Sequence, residues 1–147
     1  MIEIYTDGSS RGNPGPGGYG VVMIHKDKRK ELSQGYNLTT NNRMELLAVI
    51  KALEEVKTDK LKIIIYSDSK YVVESVEKGW IWNWEKKNFI KKQNVDLWKR
   101  FIPLYKKYSI KFIWVKGHDG NTENERCDFL ANECQEKSLK DDVGYKN

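Results

Sequence analysis

Residues 61–68 read LKIIIYSD, a β-branched apolar run closed by a serine and an acid. The lack of polar alternation predicts a strand at the sheet centre, covered on both faces. Upstream, TTNN at 39–42 offers several N-cap side chains, and Leu46, Val49, Ile50 and Leu53 follow at helical spacing, so a helix is predicted over 42–57. Further back, Ile2, Ile4 and Thr6 alternate with Glu3, Tyr5 and Asp7, and the run empties into GSSRGNPGPGG at 8–18, a strand feeding a glycine-rich turn. YGVVMIH at 19–25 and ELSQGYNL at 31–38 flank the charged DKRK turn, giving two more strands of an antiparallel meander. A chain that leaves this meander, forms a helix and returns as LKIIIY must pair in parallel. Functional residues are then expected at the carboxyl ends of those strands.

Downstream, a helix is predicted over 69–78, then Gly79 breaks the pattern and an aromatic, basic segment follows. The next helix spans 95–107, with Leu97, Phe101, Leu104 and Tyr105 on one side and Pro103 inside it, against its continuity. A fifth strand at 110–115 leads through the KGHDG loop (116–120) to a last helix at 122–137, where Cys127, Leu130, Ala131 and Cys134 share a face. The order βββαβααβα predicts an α/β domain over 1–137: a mixed five-stranded sheet, its first three strands antiparallel, flanked by helices. The polar segment 138–147 is expected to be a loosely held tail.

The 147 residues suit one domain, and no apolar run approaches the roughly 18 residues of a membrane span. No signal-peptide pattern opens the chain, so the expectation is a soluble, cytoplasmic protein. On one helix Cys127 and Cys134 are separated by about 10 Å of rise, too far for a disulfide. The net charge of +5 is unevenly spread: residues 86–111 hold nine basic groups and one acid, a balance of +8, which leaves −3 for the remainder. That stretch lies among Trp80, Trp82, Trp84, Phe89, Trp98 and Phe101. Such a mixture suits a phosphate backbone with sugars and bases, and equally a solvated helical face over a core.

Tyr5-Thr6-Asp7 and Tyr66-Ser67-Asp68 repeat one signature at two strand ends. Each Asp alone reads as a cap. Side by side on parallel strands, the two repel unless a cation neutralises them. Glu45 interrupts the apolar stripe Val49, Ala52, Leu53, Val56, either as an edge residue favoured by the helix dipole or as a ligand. Asp128 sits beside Cys127 and Leu130, where an acid needs a partner, either Arg126 or a shared site. Together the four form a hard, all-oxygen site suited to Mg²⁺ or Mn²⁺ and unsuited to zinc. An acidic centre beside a basic, aromatic flank is the layout of a metal-dependent nuclease.

YTDGSSRGNPGPGGYG, TTNNRMELLAVIKAL, YSDSKYV, KGWIWNW and WVKGHDGNTENERCDFLAN, in this order and spacing, resemble type 1 ribonuclease H over residues 1 to about 137. The resemblance implies the ribonuclease H-like fold and an endonuclease that cuts the RNA strand of RNA/DNA hybrids with two Mg²⁺ ions, Mn²⁺ being a possible substitute. It implies 5′-phosphate and 3′-hydroxyl products. By position, Asp7, Glu45, Asp68 and Asp128 are implied as metal-binding carboxylates, and His118 as the proton-transfer or product-release histidine of a mobile loop. His118 would otherwise read as a surface residue. Asn13, Asn41 and Asn42 correspond to residues that discriminate the RNA strand, although the last two could be simple helix caps. Thr40 and Arg43 match positions near a DNA-strand phosphate.

The segment 79–92 resembles the family's basic protrusion. Lys86, Lys87, Lys91 and Lys92 are expected on phosphates, and Trp80 and Trp84 either on DNA sugars or holding the protrusion in shape. Gly8, Gly12, Gly15, Gly17 and Gly18 are expected to admit the RNA to backbone amides, or else to make turns. Lys70, where some members carry Gln, departs from the pattern, as do Glu85 and Asp119. The expected protein is a free-standing monomer without a membrane or obligate protein partner. Two rivals remain: a non-catalytic hybrid-binding module, which would not need all four acids, and a nuclease of the same sheet that cuts DNA.

Overall fold

The computed structural model describes residues 1–117 and 120–146. Three strands, β1 (Ile2–Ser10), β2 (Gly15–His25) and β3 (Lys28–Thr39), form the antiparallel meander. Helix α1 (Asn41–Glu55) crosses back to β4 (Lys62–Ser67), and α2 (Lys70–Glu77), α3 (Trp80–Lys86) and α4 (Val95–Lys107) precede β5 (Ser109–Trp114). Helix α5 (Thr122–Glu133) ends in a 3₁₀ turn, Cys134–Glu136. Strand order is β3-β2-β1-β4-β5, with β1, β4 and β5 parallel. The mixed five-stranded sheet is thus the expected one, with one helix more than the sequence predicts: the aromatic segment after Gly79 forms α3. Gly79 itself adopts φ 74°, a left-handed turn that ends α2 and redirects the chain. Pro103 does not interrupt α4.

The meander twists Ile4, Tyr19 and Val21 to one face, where Met44, Leu46, Val49, Ile50 and Leu53 of α1 join Trp98 and Phe101 of α4 in the main core. On the opposite face α5 lies on β1 and β2, packing Cys127 and Leu130 against Val22. The approach is so close that a Cβ at Gly20 would stand 2.3 Å from the Cys127 carbonyl oxygen, and one at Gly18 would stand 2.3 Å from Cys134 Sγ. Gly18 therefore serves helix packing, where the sequence suggested the substrate or a turn. Both cysteines are buried and free. The two-sided burial expected for β4 is not complete: Ile63 and Ile65 are buried, but Ile64 and Tyr66 are half-buried because α5 covers the neighbouring strands instead. No helix among the described residues is long and apolar enough to cross a membrane.

Within the segment expected to be a loosely held tail, residues 140–142 contact the domain. Lys140 bridges in parallel to Tyr36, and Asn37 Nδ2 donates to Asp141 at 3.0 Å. Asp142, its side chain 4% exposed, accepts from Thr39 Oγ1 at 2.6 Å and from Arg43 Nε at 2.7 Å. Polar residues bury little apolar surface, so the contacts available to this segment are polar ones. The most buried of these contacts is the Arg43–Asp142 ion pair.

Candidate active site

The in-register pairs of β1 and β4 end at Tyr5 with Tyr66 and Thr6 with Ser67, so Asp7 and Asp68 follow in step where the two strands part, β1 itself running on to Ser10 against β2. The two tyrosine rings stack at 4.6 Å between centroids, which reinforces that register. Gly8 brings in the third acid. A Cβ there would stand 2.4 Å from the backbone nitrogen of Glu45, so only glycine lets the first turn of α1 lie on the strand end. One carboxylate oxygen from each of Asp7, Glu45 and Asp68 lies within 4.8 Å of the others. Gly117 closes the side: a Cβ on it would be 2.9 Å from Asp68 Oδ2.

Asp128 is half-buried on α5 and lines the same cleft of about 380 Å³, outside the tight cluster of three. Its Oδ1 accepts from Asn132 Nδ2 at 3.2 Å. The expected alternative partner, Arg126, is engaged elsewhere, donating Nε to Glu31 at 2.9 Å. His118 lies outside the described residues.

Asp7 is pushed up to about 7 by burial and then by the Asp68 charge, opposed by hydrogen bonding to Glu45 and the Gly8 N–H. Burial, then Asp7 and Asp68, hold Glu45 well above the usual carboxylate range. Its Oε2 is buried with no hydrogen-bond donor among the described residues. A buried acceptor without a donor, in an all-oxygen cluster that repels itself, fits a hard divalent cation. A folded-state pKa above the unfolded value means that the folded protein holds its proton longer, so through Asp7 metal-free stability falls as pH rises from about 4 to about 7, and the raised Glu45 acts in the same direction. Calorimetry in EDTA should show that decline. Mg²⁺ at a pH of about 8 should reverse it, raising the melting temperature by an amount on the order of a few kcal/mol of stability.

A second cleft, of about 650 Å³, lies beyond Asn42, which lines both. Its walls include Asn13, Thr40, Lys92 and Asn94. Asn13 Oδ1 accepts the Asn41 N–H at 3.2 Å, and Asn41 Oδ1 accepts the Ser10 N–H at 2.6 Å, which ties the glycine-rich turn to the start of α1. Neither Asn41 nor Asn42 is the helix cap. That role falls to Thr40, whose hydroxyl accepts from the Arg43 N–H at 3.3 Å.

Arg43, expected near a DNA-strand phosphate, lines this second cleft, but its guanidinium is engaged by the chain's own acids. Its side chain is 2% exposed and its guanidinium is held bidentately by Asp96 and again by Asp142. Burial opposes its charge, but those two carboxylates raise its pKa further. The pairing partners lie 53 and 99 residues away, and no local signal marks them.

On the protrusion, Lys86, Lys87, Lys91 and Lys92 are exposed. Trp84 meets Trp98 edge-on at 5.9 Å and carries Lys92 on its face at 5.0 Å, so it shapes the protrusion. Trp80 is 44% exposed and carries the Lys78 ammonium over its ring at 5.5 Å. Phe89, buried despite φ 57°, pins the loop between.

Residues 1–136 match the family model described as RNase H. The chain is 50% identical over 151 residues to a protein named ribonuclease H from Trichodesmium erythraeum, covering 99% of this chain and 96% of that one. It is 52% identical to ribonuclease HI of Helicobacter pylori, covering 95% and 96% respectively. Among solved structures, LC11-RNase H1 in complex with RNA/DNA hybrid superposes with a TM-score of 0.71 at 30% identity, covering 95% of this chain and all of that one.

Proposed function

The chain belongs to the ribonuclease H family, and on that premise we propose that it hydrolyses the RNA strand of RNA/DNA hybrids in the cleft of Asp7, Glu45, Asp68 and Asp128, leaving 5′-phosphate and 3′-hydroxyl ends. The observation that carries this is the clustering of three acids within 4.8 Å at the edge of the sheet. Asp7, Glu45, Asp68 and Asp128 would hold two Mg²⁺ ions. When bound, such ions activate water and stabilise charge on the leaving oxygen.

The chain's own groups divide the remaining work. Burial of Asp7 and Glu45 removes water from one side of the cluster, which strengthens every electrostatic interaction there. Asn13, Asn41 and Asn42 stand together at the cleft rim, where amide donors and acceptors can read 2′-hydroxyls. The LC11 complex with hybrid supports the same duplex as substrate. Thr40 and Asn94 offer hydrogen bonds to a DNA-strand phosphate in the second cleft, with the exposed lysines of the protrusion continuing that track. His118 is proposed to move protons on the loop that Gly117 presses against Asp68. The protein is proposed to act as a monomer in the cytoplasm.

A gel assay with labelled RNA/DNA hybrid, double-stranded DNA and double-stranded RNA tests this reading. Cleavage of the RNA strand of the hybrid alone, with Mg²⁺ or Mn²⁺ and not with EDTA, is the expected result. Cutting of DNA alone defeats it.

A further inference from the structure

Lys70 stands where the helix dipole disfavours a cation and the neighbouring acids attract one. It is the first residue of α2, directly after the Ser69 cap, at the positive end of the aligned peptide dipoles. It lines the acidic cleft with Asp7, Glu45, Asp68 and Asp128. Among the described residues it nevertheless makes no ion pair within 4.0 Å. Glu74, one turn along the helix, is engaged by Lys78 at 2.6 Å.

The Lys70 ammonium lies instead 5.0 Å from the centroid of the Trp114 ring. Trp114 ends β5, is 43% exposed, and donates its indole N–H to the Asp68 carbonyl at 3.1 Å. The indole is thus tied to the backbone of an acidic residue while its face carries the cation. A lysine drawn into the cleft would pair with the carboxylates and compete with divalent ions for them. The ring keeps the charge at the rim, available to an anion arriving from outside.

We propose that Lys70, posed by Trp114, binds a backbone phosphate of the cleaved strand beside the scissile one. The proposal rests on the hydrolysis reading above, which lays that strand across the carboxylates. Those acids repel the flanking phosphates of the same strand, and a cation on the cleft wall offsets that repulsion where the strand enters. The flexible lysine stem allows the ammonium to leave the ring for a phosphate oxygen. The vacated indole face can then take a ribose.

The test measures steady-state kinetics on hybrid, and hybrid binding by fluorescence anisotropy across a salt series in an Asp7→Asn background. Lys70→Met should flatten the dependence of log affinity on log salt by about 0.9, one phosphate contact. It should also raise KM roughly fivefold with a smaller change in kcat. Lys70→Arg should keep the parent slope. Trp114→Leu should give part of the loss, Trp114→Phe should restore the aromatic face, and Trp114→Leu should add nothing once Lys70 is Met. An unchanged slope and KM in Lys70→Met, or full additivity of the two substitutions, overturns the assignment. If the unsubstituted chain neither binds nor cuts hybrid, the hydrolysis reading itself fails, which is a separate outcome.

Discussion

Asp7→Asn lowers hybrid cleavage at least about a thousandfold while hybrid affinity stays within a few-fold. As a proposed ligand, the carboxylate would supply charge to a cation worth several kcal/mol in the transition state, and each decade of rate is worth about 1.4 kcal/mol. The amide keeps the shape and loses the charge. In the proposed reading, binding rests mostly on the lysines of the protrusion and on the second cleft, whose lining does not include Asp7. The same substitution should stabilise the metal-free protein at a pH of about 8, because it removes a buried charge that Asp68 repels. Single-turnover cleavage, anisotropy and a thermal melt on one preparation check all three effects. Residual turnover within about tenfold of the parent, or a lowered melting temperature, would contradict this role for Asp7.

The range of each interaction decides how much of the fold and site is legible in the sequence. The sheet is legible because its signals are local: alternation at Ile2, Ile4 and Thr6, helical spacing at Leu46, Val49, Ile50 and Leu53, and the repeated Tyr-Thr-Asp and Tyr-Ser-Asp ends. Parallel pairing then makes the convergence of Asp7 and Asp68 a geometric consequence. Glu45 is legible as an acid on an apolar stripe, although its arrival beside Asp7 depends on Gly8, whose packing role no periodicity reveals. Helix α3 escapes detection because Trp80, Trp82 and Trp84 alternate like a strand, and Gly79 reads as a break that carries no sign of a helix beyond it.

Roles that depend on distant partners are the illegible ones. Thr40 reads as a phosphate neighbour and is also the helix cap, which leaves Asn41 free to bind Ser10. Arg43 reads as a phosphate contact because its neighbours are there, yet its charge is satisfied by two carboxylates distant in the chain. Trp114 and Lys70 are separated by the whole α2–α4 region and meet only because β4 and β5 are parallel neighbours.

The Arg43 network sets the second large effect. Asp142→Ala should destabilise the protein by about 3–5 kcal/mol, since it leaves a buried guanidinium with half its partners. For a chain of this size that corresponds to a fall in melting temperature of roughly 10–15 °C. Arg43→Lys should cost a similar amount: an ammonium cannot satisfy Asp96 and Asp142 bidentately, whereas the guanidinium meets both with a rigid fork. The loss should also reach the second cleft. Asp96 belongs to the first turn of α4, and Asn94 beside it donates to the Tyr71 hydroxyl at 3.1 Å, so loosening Arg43 frees the edge of that cleft. Chemical denaturation of Asp142→Ala, Arg43→Lys and the double variant gives the coupling directly. Near-additive losses would show two independent sites. A double variant little worse than either single one is the expected outcome, because each substitution already breaks the same buried network. Hybrid affinity measured below the melting transition completes the test. If Arg43 were held back from a phosphate by the chain's own carboxylate, Asp142→Ala would tighten binding, whereas a structural Arg43 predicts unchanged or weaker binding.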